Sequence, residues 1–364
     1  SRTHAFGWQA EEAVKKARRQ LAALLSADTK EIAFTSGATE AINLAIKGFY
    51  ENYQSRGRHI ITLQTEHKAV LDTCKHLEKL GAEISYLSVK RDGLVDLEHL
   101  KQCIRPDTIM VSVMWANNET GTIQPMSAIG QICDEAGVFL FSDATQAVGK
   151  IPVNPREAGV HMLACSAHKF YGPKGVGALY VSHKNPIVKL VAQQDGGGHE
   201  RGRRSGTLNV PGIVGLGAAA ELAMKEQEEA SRLAQWRDTL EKRLLEALPL
   251  TEINGSTAHR LPQVTNIRFA GVDAEQLLMV FNQQLAVSSG SACTSASLDP
   301  SHVLKALGLT DDEAQSSLRI SFGRFNEEKD VDFAATILID AVQQIRNSSP
   351  VWRELLAAKA DESR

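Results

Sequence analysis

Seven short apolar, β-rich runs, most of them separated by a helical segment, constrain the fold of this chain more than any other feature. They are EIAFTSG, HIITLQ, EISYLSV, TIMVSVMWA, VFLFSDA, MLACSA and VGALYVS, all between residues 31 and 182. The segments KAVLDTCKHLEKLG and MSAIGQICDEAG between them have helical periodicity. Nearly continuous apolar strands alternating with helices predict an α/β domain whose mostly parallel sheet is covered on both faces. An amphipathic helix precedes it, with Val14, Ala17, Leu21 and Leu24 at helical spacing. Residues 183–210, rich in Gly and charge, read as a connection or an active-site loop. A long helical stretch follows, opened by Pro211, and then shorter elements of a smaller α+β domain. The expected division is 1–211 for the large domain and 212–364 for the smaller one, which suits a chain of 364 residues.

Composition narrows the function classes. A net charge of -3 gives no electrostatic case for nucleic acid or an anionic membrane as partner, and no apolar run is long enough to span a bilayer. The five cysteines are widely spaced without a CxxC pair, against a structural metal or a disulfide framework, so a reducing compartment is expected. Four of them, Cys74, Cys103, Cys133 and Cys165, lie in periodic or apolar contexts that suit core or helix-face positions. The fifth, Cys293, lies in GSACTSAS, where no neighbour is large enough to build a core. That reads as a thiol on a loop, reachable as a reactive cysteine must be.

Ligands of parallel sheets bind at the carboxyl ends of strands, so the residues following each run matter most. After EIAF comes TSGATE, small residues opening a helix: an anion site, or simply a helix cap. After HIITLQ comes His67 at a strand-to-helix turn, either structural or functional. After VFLFS comes Asp143, with Gln146 three residues on; the acid would cap a helix or hold a positively charged ring nitrogen. After MLACSA come His168 and Lys169 in a Gly-rich turn. A lysine directly after an apolar strand is costly to bury without a purpose, and desolvation makes it a nucleophilic amine. Phosphate site, ring-nitrogen acid and lysine, in that order, describe a pyridoxal phosphate pocket. The competing phosphate motifs fail: GPKGVG lacks the P-loop ending, and GIVGLGAAAE has its glycines at the wrong spacing for a dinucleotide.

The segments TSGATEAINLAIKG, TEHKAVLDTC, NNETGTIQP, DATQAVGKIPV, SAHKFYGPKGVGALYV, GGGHERGRRSGTLNVPGIVGLG and SSGSACTSASLDPSHVLKALGL closely resemble cysteine desulfurases, and SSGSACTS their housekeeping IscS/NifS-like subgroup. These are enzymes of PLP-dependent transferase fold type I, in the class V aminotransferase group, and the resemblance spans essentially the whole chain. It implies a large domain with a seven-stranded sheet and a smaller α+β C-terminal domain. Members of the family usually begin with a further strand and small-residue segment, so an N-terminal portion is expected to precede Ser1.

The resemblance also implies roles. Lys169 matches the Schiff-base lysine and Asp143 the partner of the pyridine nitrogen. Gln146 matches the donor to the phenolic oxygen, and His67 the ring-stacking acid/base. Ala38, Thr39, Ser166 and His168 match the phosphate site, and Thr207 a threonine that reaches the neighbouring subunit's phosphate, which implies a homodimer with shared sites. Asn118 and Arg319 match the substrate carboxylate site, and Cys293 the thiol that takes sulfur from L-cysteine as a persulfide, leaving alanine. The tail SSPVWRELLAAKA resembles the region that meets the iron–sulfur scaffold protein, though Trp352 would serve equally as a helix anchor. The partners implied are the iron–sulfur scaffold and other sulfur acceptors, for clusters or tRNA thiolation, with the cytoplasm the expected location and a mitochondrial one left open. The alternatives are a selenocysteine lyase, another class V aminotransferase-type enzyme, or a non-catalytic scaffold. The intact set of Lys169, Asp143, His67 and Cys293 speaks against the last.

Overall fold

A computed structural model describes residues 4–184, 186–226, 228–289 and 299–362. The chain divides into two compact units: Ser1–Ser88, Val95–Asn117 and Ile123–Gln227 form the first, and Val89–Leu94, Asn118–Thr122 and Glu228–Arg364 the second. This differs from the expected single division at 211/212: residues 212–227 stay with the first unit, and two short segments from the N-terminal half fold with the second. Their hydrogen bonds hold them there. Thr122 Oγ1 donates to the Asp92 carbonyl, the Asn266 side-chain amide to the Glu119 carbonyl, and the Leu261 N–H to the Gly121 carbonyl.

In the first unit, β1 (Ile32–Thr35), β2 (His59–Leu63), β3 (Glu83–Leu87), β4 (Thr108–Ser112), β5 (Phe139–Asp143), β6 (Met162–Ser166) and β7 (Gly177–Val181) form one seven-stranded sheet. Its order is β1-β7-β6-β5-β4-β2-β3. The pairs β2–β3, β2–β4, β4–β5 and β5–β6 are parallel, and only β7 runs against its neighbours. The reason is the connection: between β6 and β7 there is one short 3-10 turn, Ala167–Lys169, and no crossover helix. Without a crossover the strand can only return antiparallel. Every strand except edge strand β3 is buried along its length, as the continuous apolar runs predict.

Helices α1 (Ala5–Leu24), α2 (Ala38–Tyr53), α3 (Lys68–Glu78), α4 (Leu97–Cys103), α5 (Met126–Ala136) and α6 (Val210–Lys225) complete this unit. Ile42, Ile46 and Phe49 of α2 share one core with Met110, Phe141 and Leu179 of the sheet. Glycine lets α6 press on α1, since a Cβ at Gly217 would lie 2.5 Å from the Ala17 Cα.

The second unit contains α7 (Glu229–Ala247), β8 (Thr251–Ile253), β9 (Val264–Phe269), α8 (Ala274–Phe281), β10 (Ser288–Ser289), α9 (His302–Ala306), α10 (Asp311–Gln315), β11 (Ser317–Ser321), α11 (Glu328–Ser348) and α12 (Pro350–Glu362). Its sheet, β10-β11-β9-β8, is antiparallel throughout. Leu240 and Leu244 of α7, Leu277 and Phe281 of α8, and Leu338 and Val342 of α11 share its core. The long helical stretch expected after Pro211 is thus two helices, each packed within its own unit. In α12, Trp352 is an anchor: its ring lies 4.0 Å from the Arg346 guanidinium, and a Cβ at Gly271 would come within 2.9 Å of it. Arg346 is buried beneath that ring, donating to the Ala270 and Pro249 carbonyls, and burial brings its guanidinium down to about 10. Among the described residues no helix is long and apolar enough to cross a membrane.

Candidate active site

The parallel strands of the first unit end on one edge, and the chemistry-bearing residues follow those ends. Gly177, opening β7, pairs with both Thr35 and Ser166, the last residues of β1 and β6. Only glycine fits there: a Cβ would lie 2.7 Å from the Gly37 Cα and 2.6 Å from the Cys165 carbonyl oxygen. Gly37 is the N-cap of α2, and no side chain caps that helix. The N-terminus of a 16-residue helix therefore opens beside Ser166, whose Oγ lies 3.6 Å from the position of a Cβ on Gly37. Backbone N–H groups and the helix dipole make this an anion cradle. Ala38 is half-buried and Thr39 exposed at its mouth. Ser166 Oγ lies 3.0 Å from His168 Nδ1. The His168 imidazole is held below its ordinary basicity, first by burial and then by the charges of Lys169 and Lys174.

Asp143 ends β5 and is buried, its Oδ1 accepting the Thr145 N–H at 3.0 Å. Beside it Gln146 is half-buried, and Thr145 Oγ1 is buried with no hydrogen-bond partner among the described residues. Lys169, half-buried, leaves the neighbouring strand β6 through the 3-10 turn. The turn is seated by Phe170, which presses on Gly149 so closely that a Cβ there would lie 2.6 Å from the Phe170 Cβ. The next residue, Tyr171, is left-handed at φ 67. His67 caps α3, its Nδ1 accepting the Ala69 N–H at 3.1 Å. That bond puts the proton of the neutral ring on Nε2.

Glu66 escaped the reading of the sequence, although it stands next to His67 in TEHKAV. It is fully buried, and burial pushes its carboxyl well above the ordinary range. The Met114 N–H, donated to Oε1 at 2.6 Å, opposes that shift, and the charge of Asp143 adds to it.

Thr207 is exposed on the segment leading into α6. The basic cluster before it is accounted for locally: Arg204 Nε donates to Glu40 in the first turn of α2 at 2.7 Å, and Arg203 Nη1 to the Lys30 carbonyl at 3.1 Å. In the second unit, Arg319 on β11 donates to the Asn118 carbonyl at 2.9 Å and to Ser288 Oγ at 3.2 Å. Asn118 Oδ1 is buried without a partner among the described residues. Each unit thus gathers its own set: Ala38, Thr39, His67, Asp143, Gln146, Ser166, His168, Lys169 and Thr207 in the first, Asn118 and Arg319 in the second. Cys293 lies outside the described residues.

The family described as Aminotransferase class-V matches residues 1–333. The chain belongs to that family. Within it, "Cysteine desulfurase IscS" of Anaeromyxobacter dehalogenans is 54% identical over 353 residues, covering 97% of this chain and 87% of that protein. The protein of the same name from Neisseria meningitidis matches at the same identity and coverage. Among solved structures, a NifS-like protein superposes with a TM-score of 0.87 at 36% identity, covering 94% of this chain and 90% of that one. SspA in complex with cysteine gives 0.77 at 37%, covering 88% and 90%. This class-V chain is accordingly a pyridoxal 5'-phosphate-dependent cysteine desulfurase. The residues present fit that cofactor. An uncapped helix N-terminus suits its phosphate, a buried acid its ring nitrogen, and a half-buried lysine one strand away its aldehyde.

Proposed function

We propose that this desulfurase takes the sulfur of L-cysteine onto Cys293, releases L-alanine, and passes the persulfide sulfur to acceptor proteins for iron–sulfur cluster assembly and tRNA thiolation. Bound pyridoxal phosphate supplies an electron sink for the substrate carbon attached to nitrogen. The protein groups do the rest. Lys169 Nζ would hold the cofactor and, with substrate bound, would move protons at the substrate carbons. The Asp143 carboxylate keeps the ring nitrogen protonated, and Gln146 donates to the ring oxygen. His67 would stack on the ring and present Nε2 as a proton donor or acceptor. The N–H groups of Ala38 and Thr39, with the side chains of Thr39, Ser166 and His168, bind the phosphate. Thr207 reaches the phosphate of a neighbouring subunit, so the working form is a homodimer. Arg319, with Asn118, takes the substrate carboxylate in a guanidinium fork.

At Cys293 the thiolate attacks the substrate sulfur. The carbon–sulfur bond breaks, a sulfur–sulfur bond forms, and the former β-carbon takes a proton to become the alanine methyl, with no outside oxidant or reductant. The exposed face of α12 meets the scaffold protein, while Trp352 serves as anchor. Free thiols at Cys74, Cys103, Cys133 and Cys165 suit a cytoplasmic enzyme.

The observation that carries this reading is the order of groups along one sheet edge: the cradle after β1, the acid after β5 and the lysine after β6. Lys169→Ala tests it. The variant is expected to lose the visible absorbance of covalently held cofactor together with sulfide release. Retention of both would overturn the assignment.

A further inference from the structure

We infer that Glu200, clamped by Arg18, is a positioning residue for the cofactor phosphate that Thr207 reaches in the neighbouring subunit, acting through the segment that carries Thr207. This rests on the reading of Thr207 as a phosphate ligand. The Glu200 side chain is 2% exposed and that of Arg18 12%, so the pair is largely withdrawn from water. Arg18 grips it with both nitrogens, Nη2 to Oε1 and Nη1 to Oε2, each at 2.7 Å. Glu200 Oε2 also accepts the backbone N–H of Phe34 at 2.8 Å. Arg18 is fixed in turn, donating from Nη1 to the Ile32 carbonyl at 2.8 Å and lying 4.4 Å over the Phe34 ring. A carboxylate from one segment is thereby bonded into β1, three residues before Gly37 opens the phosphate cradle.

The backbone around Glu200 shows what that clamp holds. Glu200 and Arg201 are both left-handed, at φ 50 and 60, followed by Gly202 at φ 78. Two consecutive non-glycine residues in that region are strained and persist only where the surroundings over-determine them. The clamp supplies that constraint. Downstream, Ser205 Oγ accepts the Gly198 N–H at 3.2 Å, and Arg204 is tied to Glu40, whose Oε2 in turn accepts the Ser36 N–H at 2.8 Å. The segment is thus fastened at Glu200 to the strand before the cradle and at Arg204 to the helix after it. Thr207 leaves three residues beyond the second fastening. Charge alone does not require this arrangement, because a surface ion pair would satisfy Arg18 without a buried glutamate in a left-handed turn.

A double-mutant cycle on pyridoxal phosphate affinity tests the inference. The purified enzyme is stripped of cofactor and retitrated for wild type, Thr207→Val, Glu200→Gln and the double variant. Loss of a hydrogen bond to a charged phosphate weakens binding roughly tenfold or more. Thr207→Val and Glu200→Gln are each expected to show such a loss, with the double variant no weaker than Thr207→Val alone. A purely structural defect at Glu200 would multiply with the Thr207 loss, and that result, or wild-type affinity in Glu200→Gln, would overturn the inference. Unchanged affinity in Thr207→Val would remove the phosphate reading of Thr207 and the inference with it. Should Glu200→Gln not fold, Arg18→Lys, which keeps the charge and loses the fork, takes its place in the same cycle.

Discussion

Burying the carboxylate of Asp143 is costly unless it is paired and hydrogen-bonded, and the backbone supplies it one N–H, from Thr145. A protonated ring nitrogen is the natural second partner. Asp143→Asn removes that charge while keeping the shape, and kcat for sulfide release is expected to fall by on the order of 10²–10³, the usual cost of a preorganised electrostatic group. Wild-type kcat in that variant would contradict the assignment. Glu66 differs, because burial already favours its protonated form. Glu66→Gln leaves an oxygen for the Met114 N–H and is expected to change stability by under about 1 kcal/mol in chemical denaturation. A loss of several kcal/mol would show that its negative charge is used. The placement of Asp143, Lys169 and His67 at strand ends is legible in the sequence because each lies within three residues of an apolar run. Glu66 is not, because only the folded chain shows the acid beside His67 turned wholly inward.

Helix packing in the first unit turns on Gly217, where even a methyl group would run into Ala17. Gly217→Ala is expected to cost about 1–3 kcal/mol by overpacking, read from the denaturation midpoint. An unchanged midpoint would mean that α1 and α6 separate at no cost. In the second unit, Trp352→Ala removes the ring that covers Arg346, and hydrogen exchange in α12 is expected to rise sharply while the protection of β9 and β11 persists. The strands were readable from their apolar runs, but two features of the elements were not. KEQEEASR between α6 and α7 contains neither Gly nor Pro to announce a break, which comes from each helix packing in its own unit. Residues 118–122 join the second unit through scattered hydrogen bonds to Ser256, Leu261, Asn266 and Arg319, and such pairing leaves no periodicity in a sequence.

Stability of the whole molecule should depend on pH through two buried histidines. His59 sits between Thr108 Oγ1 at 2.7 Å and Ser85 Oγ at 2.9 Å. Its basicity is lowered first by burial and then by Arg105, against the opposing charges of Asp107 and Glu83. His161, which accepts the Leu140 N–H at 3.0 Å, is lowered by burial against Asp134. Both start from an ordinary value of 6.5. The unfolded chain therefore takes up more protons than the folded one as pH falls below that value. Their contribution is full above 6.5 and is lost as pH falls through the lowered folded values. The denaturation midpoint should drop on moving from neutral to mildly acidic pH, and His59→Asn should flatten the drop; an identical pH profile in that variant would contradict this origin. At this largest scale the long matched motifs made fold class and chemistry legible together, whereas the two-unit division depends on contacts distant in sequence. The most direct measurement of the central claim is sulfide and alanine release from L-cysteine, with pyridoxal phosphate and reductant, by the wild-type enzyme and Cys293→Ala. Equimolar sulfide and alanine from the wild type, both lost in the variant, is the predicted result; undiminished sulfide from Cys293→Ala would contradict it.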